Sequence, residues 1–332
     1  MNILVTIPQG AVRDSFIPEW AAEKLAALGP VQYNKTTQQL TKSQFIEAIK
    51  DVEVCVTGWG TPIFDADVLD AAPKLRVIAH TGGSVQPYVD EAVYQRGITV
   101  LSGNAIYARS VAEGVLAYML LALRQIPKYI DIVRDGGWRT ETDTSKGLGN
   151  KRIGLVGFGA IARNVLEFLA PFDVEIFVYS GHLTKGDAES LNVKKATLEE
   201  IFTDCDIISL HSAQRKENEK MINETLLSMI KPGALFINTA RGSIVDEEAL
   251  IGQLETRRFS AVLDVFCQEP LPADSPFRSL DNVISMPHMA GPTTDLRPYV
   301  TSSLADDIAR FMANENLQHE IPWSYAKNMT TS

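Results

Sequence analysis

The stretch RIGLVGFGAIARNVLEFLA, Arg152–Ala170, decides how the chain is read. It opens on a short apolar run suited to a buried strand and closes on apolar residues at helical spacing, with Gly157, Gly159 and Ala162 between them. This is the pattern G-x-G-x-x-G/A set between a strand and a helix. The first glycine permits the tight turn, the second lets the backbone approach a pyrophosphate, and the small third residue allows close helix packing. The helix start adds unpaired N–H groups and the positive end of its dipole. A glycine-rich turn with no ligand is the plainer alternative, but the agreement of strand, spacing and helix favours a dinucleotide site. Gly157, Gly159, Ala160 and Ile161 are then the residues at the phosphates.

Outward from this turn, short runs rich in Val, Ile and Leu recur before it at 3–7, 53–57, 75–80 and 98–101. A second series lies at 152–156, 174–179, 207–211, 234–238, 261–266 and 283–286. Segments of helical period separate them, which is the signature of parallel sheets covered by helices. The chain has 332 residues, more than one typical core. Two doubly wound α/β units in tandem is the simplest account, with a single large α/β domain as its competitor. Between the series, Val111–Leu123 is apolar nearly all round, as a buried helix at a domain junction would be. The last amphipathic stretch, TDLRPYVTSSLADDIARFMANENL, is expected to return to the first unit.

Bulk chemistry narrows the function. Against 31 Lys and Arg stand 41 acids, a formal charge of -10, which disfavours broad binding to nucleic acid or an anionic membrane. A small anionic ligand in a local pocket is not disfavoured. Three widely spaced cysteines, Cys55, Cys205 and Cys267, form no C-x-x-C pair, so no disulfide framework and no metal site is expected, and a reducing, cytoplasmic setting is. The N-terminal MNILVTIPQG lacks a basic leader and its apolar run is short, so it is read as a first strand and not as a signal or membrane segment.

Three later segments, NTARGSIVDEEAL (Asn238–Leu250), LDVFCQEP (Leu263–Pro270) and MPHMAG (Met286–Gly291), resemble the D-isomer-specific 2-hydroxyacid dehydrogenase family. GITVLSGNAIYARSVAEGVLAYML is similar to the segment leading into that family's junction helix, and DIISLHS to its mid-domain strand. The resemblance implies a Rossmann dinucleotide-binding domain, 103–290, inserted in a flavodoxin-like substrate domain made of 1–102 and 291–332. It implies an oxidoreductase that moves a hydride between NADP or NAD and a 2-keto or D-2-hydroxy acid, and a homodimer. It assigns Arg241 to the substrate carboxylate and carbonyl, His288 to acid/base work and Glu269 to His288. It sets Asp264, Thr239, Ala240 and Gly291 at the cofactor and Gly82, Gly83 and Ser84 at the substrate. The chain departs from the family in Ala160, where many relatives carry arginine, and in the charged loop HSAQRKENEKMIN.

These residue types suit the chemistry. Reduction of a 2-keto acid needs a hydride at carbon and a proton at oxygen. Arginine holds a planar carboxylate through two donors and so orients the carbonyl. Histidine titrates near neutrality and exchanges the proton in either direction, and a carboxylate beside it favours imidazolium and fixes the tautomer. Taken singly, Arg241 is a surface cation, Glu269 a solvated loop acid, His288 a structural residue and Asp264 a turn residue; together they argue for a site. His80 and His211 end strands and are read as structural. Gly82–Ser84 equally suits a simple glycine turn, and Trp59 a core position.

The ribose partner of the glycine turn is expected about 20 residues on. In FVYSGHLT, Phe177–Thr184, that place holds Ser180 and not an acid. Its absence removes a repulsion against a 2′-phosphate, and Ser180, His182, Thr184 and Lys185 offer donors or charge, which tilts the expectation to NADP over NAD. Two other classes compete: a corepressor-like protein that senses a dinucleotide without turnover, and an adenosyl-methionine-dependent methyltransferase on a similar turn.

Overall fold

Short β-branched runs bounded by helices can bury both faces only in a parallel sheet, and the chain builds two such sheets. The computed structural model describes residues 1–142 and 144–331. The chain divides into two compact units, Met1–Ala108 with Pro292–Ser332 (unit 1) and Arg109–Gly291 (unit 2). The division falls inside the helix Asn104–Leu123.

Unit 1 holds β1 (Ile3–Val5), β2 (Val31–Tyr33), β3 (Val54–Thr57), β4 (Val77–His80) and β5 (Thr99–Ser102). Their order is β2-β1-β3-β4-β5 and every pairing is parallel, the flavodoxin-like arrangement. The helix Arg297–Ala313 belongs to this unit and buries Val300, Leu304, Ala305 and Ile308 against Ile3, Val5 and Leu25.

Unit 2 holds β6 (Lys151–Val156), β7 (Val174–Tyr179), β8 (Lys194–Lys195), β9 (Ile207–Leu210), β10 (Leu235–Asn238), β11 (Ser260–Leu263) and β12 (Val283–Ser285). All pair in parallel in the order β12-β11-β10-β9-β6-β7-β8, the Rossmann order with one strand added. The order reverses between β9 and β6, and the glycine turn follows β6 at that switch point. One apolar layer lies on each sheet face, around Phe202, Phe236 and Leu254 on one side and Val115, Val165 and Leu169 on the other.

Two strands were not predicted. β2 (VQY) and β8 (KK) are edge strands of three and two residues, too short and too polar to show a periodic signal. The helix Asn104–Leu123 is long and apolar enough to cross a membrane by length and composition. In unit 2, however, its Ala112, Val115, Tyr118 and Met119 are buried with Ile153, Leu155 and Ile237, which accounts for the composition as that of a core helix.

Candidate active site

The glycine turn is built as the pattern requires, and for two different reasons. Gly157 has φ +97°, and a Cβ there would fall 2.7 Å from the Ser212 nitrogen and 2.8 Å from the His211 carbonyl carbon, so the end of β9 leaves room only for glycine. Gly159 meets nothing within 4 Å. Internal packing does not call for that glycine, but the close approach of a phosphate would. Gly159 caps the helix Ala160–Leu169 without a side-chain hydrogen bond, so the first-turn N–H groups of Ala160 and Ile161 remain uncapped by any side chain among the described residues. Ala162 is fully buried, as close helix packing demands.

Ser180 follows β7, and its hydroxyl accepts the His182 N–H at 3.2 Å. Thr184 is not available to a ligand in the same way. It caps the helix Lys185–Ser190, donating to Asp187 Oδ2 at 2.7 Å and accepting the Asp187 N–H at 3.1 Å. These bonds to Thr184, with the charge of Arg163, hold the Asp187 carboxyl below its ordinary value. Arg163 was missed in the sequence. Its guanidinium lies over the Phe158 ring, 4.6 Å from the centroid, and Phe158 stands inside the glycine turn.

Arg241, Glu269 and His288 come from three successive loops, after β10, β11 and β12, at the carboxyl ends of neighbouring strands. His288 Nδ1 lies 2.7 Å from Glu269 Oε2, while Glu269 Oε1 accepts the Phe266 N–H at 3.0 Å. Arg241 is half-buried and donates from Nη1 to the Ala240 carbonyl at 2.7 Å. Burial pulls its guanidinium below the ordinary value and the charge of Glu269 opposes that, so Arg241 shares the field of the Glu269–His288 pair. Gly242 sets this proximity. A Cβ there would stand 2.1 Å from the Phe266 carbonyl carbon and 2.2 Å from the Cys267 nitrogen, so the Arg241 loop can lie on the Phe266–Cys267 peptide only because residue 242 is glycine. Asn238 locks the turn, accepting the Ala240 N–H at 3.0 Å and donating to the Arg241 carbonyl at 3.0 Å.

Asp264 is 1% exposed and its carboxylate is occupied by the chain itself. Oδ1 accepts from the Tyr118 hydroxyl at 2.9 Å and the Met289 N–H at 2.7 Å, Oδ2 accepts the Ala290 N–H at 2.9 Å, and its carbonyl accepts the His288 N–H at 2.9 Å. It therefore anchors the His288 loop. Tyr118 was also missed; its signal was a lone tyrosine within the mostly apolar run Val111–Leu123. Burial, with the Asp264 charge, raises its phenol well above the ordinary value and keeps it a donor.

At the ends of β10 and β9, the buried Thr239 Oγ1 and both ring nitrogens of His211 have no hydrogen-bond partner among the described residues. Burial pushes the His211 imidazole down to about 4, so it is neutral. Ala240 is buried, and Gly291 has open space where a Cβ would be and accepts from Ser110 Oγ at 3.3 Å. An open glycine, an uncapped helix start and orphaned polar atoms fit a bound dinucleotide.

Unit 1 carries the glycine loop after β4. Ser102 Oγ lies 3.0 Å and 2.6 Å from the Gly82 and Gly83 carbonyls and draws both inward. The N–H groups of Gly82, Gly83 and Ser84 then meet no acceptor among the described residues. The Ser84 hydroxyl is committed to the Thr330 carbonyl at 2.6 Å, which leaves its backbone as the part able to bind a ligand.

A family profile described as D-isomer specific 2-hydroxyacid dehydrogenase, NAD binding domain, matches residues 116–290. The chain is 32% identical over 317 residues to a D-3-phosphoglycerate dehydrogenase of Methanocaldococcus jannaschii, covering 95% of this chain and 58% of that protein. It is 32% identical over 277 residues to a hydroxypyruvate reductase of Thermotoga maritima, covering 82% of this chain and 89% of that protein. A phosphoglycerate oxidoreductase structure from Rhizobium etli superposes with a TM-score of 0.81 at 23% identity, over 97% of this chain and 99% of that one. The chain spans little more than half the length of the D-3-phosphoglycerate dehydrogenases it matches, at 58%. With the profile matched across the glycine turn, the Arg241 and Glu269 loops and His288, the chain belongs to the D-isomer specific 2-hydroxyacid dehydrogenase family.

Proposed function

We propose that the protein is a nicotinamide-dependent oxidoreductase that interconverts 2-keto acids and D-2-hydroxy acids. One observation carries this reading. Arg241, Glu269 and His288 stand on three adjacent strand ends, with His288 bonded to Glu269 at 2.7 Å and Arg241 in the field of the same carboxylate. When bound, the nicotinamide supplies or accepts the hydride. The chain does the rest. Gly157, Gly159, Ala160 and Ile161 hold the phosphates, and Thr239, Ala240, Asp264 and Gly291 frame the cofactor, Asp264 chiefly by fixing the loop that carries His288. Arg241 clamps the substrate carboxylate through its fork and turns the carbonyl into position. In unit 1, the Gly82, Gly83 and Ser84 N–H groups, which meet no acceptor among the described residues, suit an anionic group of a ligand. His288, oriented through Nδ1 by Glu269, uses Nε2 to give a proton to the carbonyl oxygen in reduction and to take it in oxidation.

NADP is favoured over NAD in this reading, because Ser180 replaces a ribose-binding acid and Arg163 adds a cation beside the glycine turn. A homodimer is supported by the helix Ile126–Arg134, which has no buried residue and leaves Ile126, Ile130 and Val133 exposed, with Trp138 beyond it 74% exposed. The thiols Cys55, Cys205 and Cys267 are unpaired, in keeping with a reducing cytoplasm.

The test is a spectrophotometric screen that crosses NADPH and NADH with small, branched, aromatic and phosphorylated 2-keto acids. Oxidation of either cofactor with at least one keto acid is the expected result, with NADPH the more efficient. If no keto acid in the panel oxidises either cofactor, the reading fails; equal or better efficiency with NADH overturns the NADP part alone.

A further inference from the structure

Unit 2 carries a guanidinium that no acid neutralises. Arg163 is the fourth residue of the helix Ala160–Leu169 and is exposed, and among the described residues no carboxylate stands within ion-pair distance of it. Asp187 feels its charge but is not bonded to it. Instead, Asp187 Oδ2 accepts the Thr184 hydroxyl at 2.7 Å, in the capping box of the helix Lys185–Ser190. The guanidinium lies over the Phe158 ring, 4.6 Å from the centroid. Stacking fixes the plane of the fork and leaves its N–H edge to solvent. The start of a helix is the end where the dipole disfavours a cation, so an anion at this place relieves two unfavourable fields at once.

A second, independent observation locates this cation. The Gly157 N–H donates to the Tyr179 carbonyl at 2.8 Å, so Phe158 and Ser180 each follow one member of a hydrogen-bonded pair, at the carboxyl ends of β6 and β7. The ring that carries Arg163 is therefore tied to the edge where an adenosine ribose lies in this fold. The pull of Arg163 on the Asp187 carboxyl, in the helix after β7, sets the guanidinium on that same side of the glycine turn. Residues 180–184, SGHLT, hold neither an acid for a ribose hydroxyl nor an arginine for a phosphate on it. The loop is nonetheless built. Lys195 Nζ donates to the Leu183 carbonyl at 2.7 Å, and Ser180 Oγ accepts the His182 N–H at 3.2 Å. The Ser180 hydroxyl itself donates to no acceptor among the described residues, so its proton is available.

We propose that Arg163, held on the Phe158 ring, clamps the 2′-phosphate of a 2′-phosphorylated adenine dinucleotide, with the Ser180 hydroxyl as a further donor. The inference rests on the NADP reading above and names the residues that produce it. The cation for the 2′-phosphate then comes from the helix after the glycine turn and not from the loop after β7. Two N–H groups of the fork meet two phosphate oxygens, and the Asp187 carboxylate, kept on Thr184, does not compete for them.

Calorimetric titration of the full chain with two nucleotides that lack nicotinamide tests it. Adenosine 2′,5′-bisphosphate is expected to bind about tenfold more tightly than adenosine 5′-monophosphate, or better. Arg163→Met should bring that ratio to within about twofold of unity while the monophosphate binds as before, which also shows that the fold survives. Arg163→Lys should keep part of the ratio, because the charge stays and the fork is lost. Phe158→Leu should cut it several-fold, because the guanidinium stays and its support is lost. A ratio near unity in the unaltered protein, or a full ratio in Arg163→Met, overturns the clamp. Equal weakening of both nucleotides in Arg163→Met also overturns it, since the arginine would then serve the 5′-phosphate. Because binding is read without turnover, a failed keto-acid screen with an intact ratio sinks the reductase reading and leaves the clamp. Turnover with a ratio near unity does the reverse.

Discussion

His288 Nδ1 and Glu269 Oε2 lie 2.7 Å apart, and the other Glu269 oxygen is held by the Phe266 N–H. The carboxylate is thus fixed at both oxygens, and the imidazole it holds has only Nε2 left for chemistry. The backbone contributes as well. His288 has φ +56°, a left-handed conformation that is uncommon for a side-chain-bearing residue. Here three consecutive N–H groups, of His288, Met289 and Ala290, are all bonded to Asp264. These three bonds hold the backbone that carries the imidazole.

Replacing His288 by alanine should therefore lower turnover by about 10²–10⁴-fold, the range of a lost general acid, while cofactor dissociation constants change only a few-fold. Glu269→Gln keeps the shape but not the charge and should cost less, about 10–100-fold in kcat. Steady-state kinetics alongside fluorescence titration of NADPH separates the two effects. Unaltered turnover in His288→Ala would remove the residue from the mechanism.

Arg241→Lys should raise KM and lower kcat together, despite retaining the charge. The fork uses Nη1 on the Ala240 carbonyl to aim its remaining donors, and an ammonium has no equivalent geometry. A lysine enzyme with the original kcat/KM would mean that charge alone is needed, and the clamp would be withdrawn.

The two glycines of the turn should separate stability from ligand binding. Gly157→Ala forces a methyl to within 2.7 Å of backbone and strains φ +97°, so it should lose about 1–3 kcal/mol or more and lower Tm. Gly159→Ala adds a methyl in open space. It should leave Tm in place and weaken dinucleotide binding, as measured by calorimetry. Equal loss of Tm in both variants would show that Gly159 serves packing after all.

This contrast also marks how far the sequence can be read. The ten apolar runs and the glycine turn were legible because each is a local pattern of spacing and residue type, whereas the loops of Arg241, Glu269 and His288 were legible only through the resemblance of their segments to the family. What escaped depends on partners far apart in the chain. Tyr118 meets Asp264 across 146 residues, and Gly242 is required by a peptide bond at Phe266, so neither shows in a window of neighbours. The strands β2 and β8 escaped because they are edges with too little burial to impose alternation.

Tyr118→Phe removes one of three donors from a buried carboxylate. The loss should be about 1–3 kcal/mol of stability, since Asp264 is left short of a bond away from water. Because that carboxylate also holds Met289 and Ala290, the His288 loop should loosen, and kcat should fall more than the affinity for cofactor. Hydrogen exchange at the Met289 and Ala290 amides reports the loosening directly. Unchanged protection there would leave Tyr118 as ordinary core.

A last prediction concerns acid. His80 is 1% exposed, its Nδ1 is bonded to Thr57 Oγ1 at 2.9 Å, and its buried Nε2 has no partner among the described residues. Burial pushes its imidazole down from the ordinary 6.5 to about 3. Above pH 6.5 the ring is neutral in both folded and unfolded chains and contributes no pH dependence. As pH falls below that value the unfolded chain takes up a proton that the folded protein refuses, so stability drops, by up to about 1.4 kcal/mol per pH unit, until the folded ring itself titrates. His211, also pushed down by burial, adds a contribution of the same sign. Between pH 6.5 and 5, above the main carboxylate range, the urea midpoint of the native protein should fall steadily. His80→Gln removes one titrating group, so its midpoint should start lower and fall less steeply across the same interval. Parallel slopes for the two proteins would show that His80 is not held neutral in the fold.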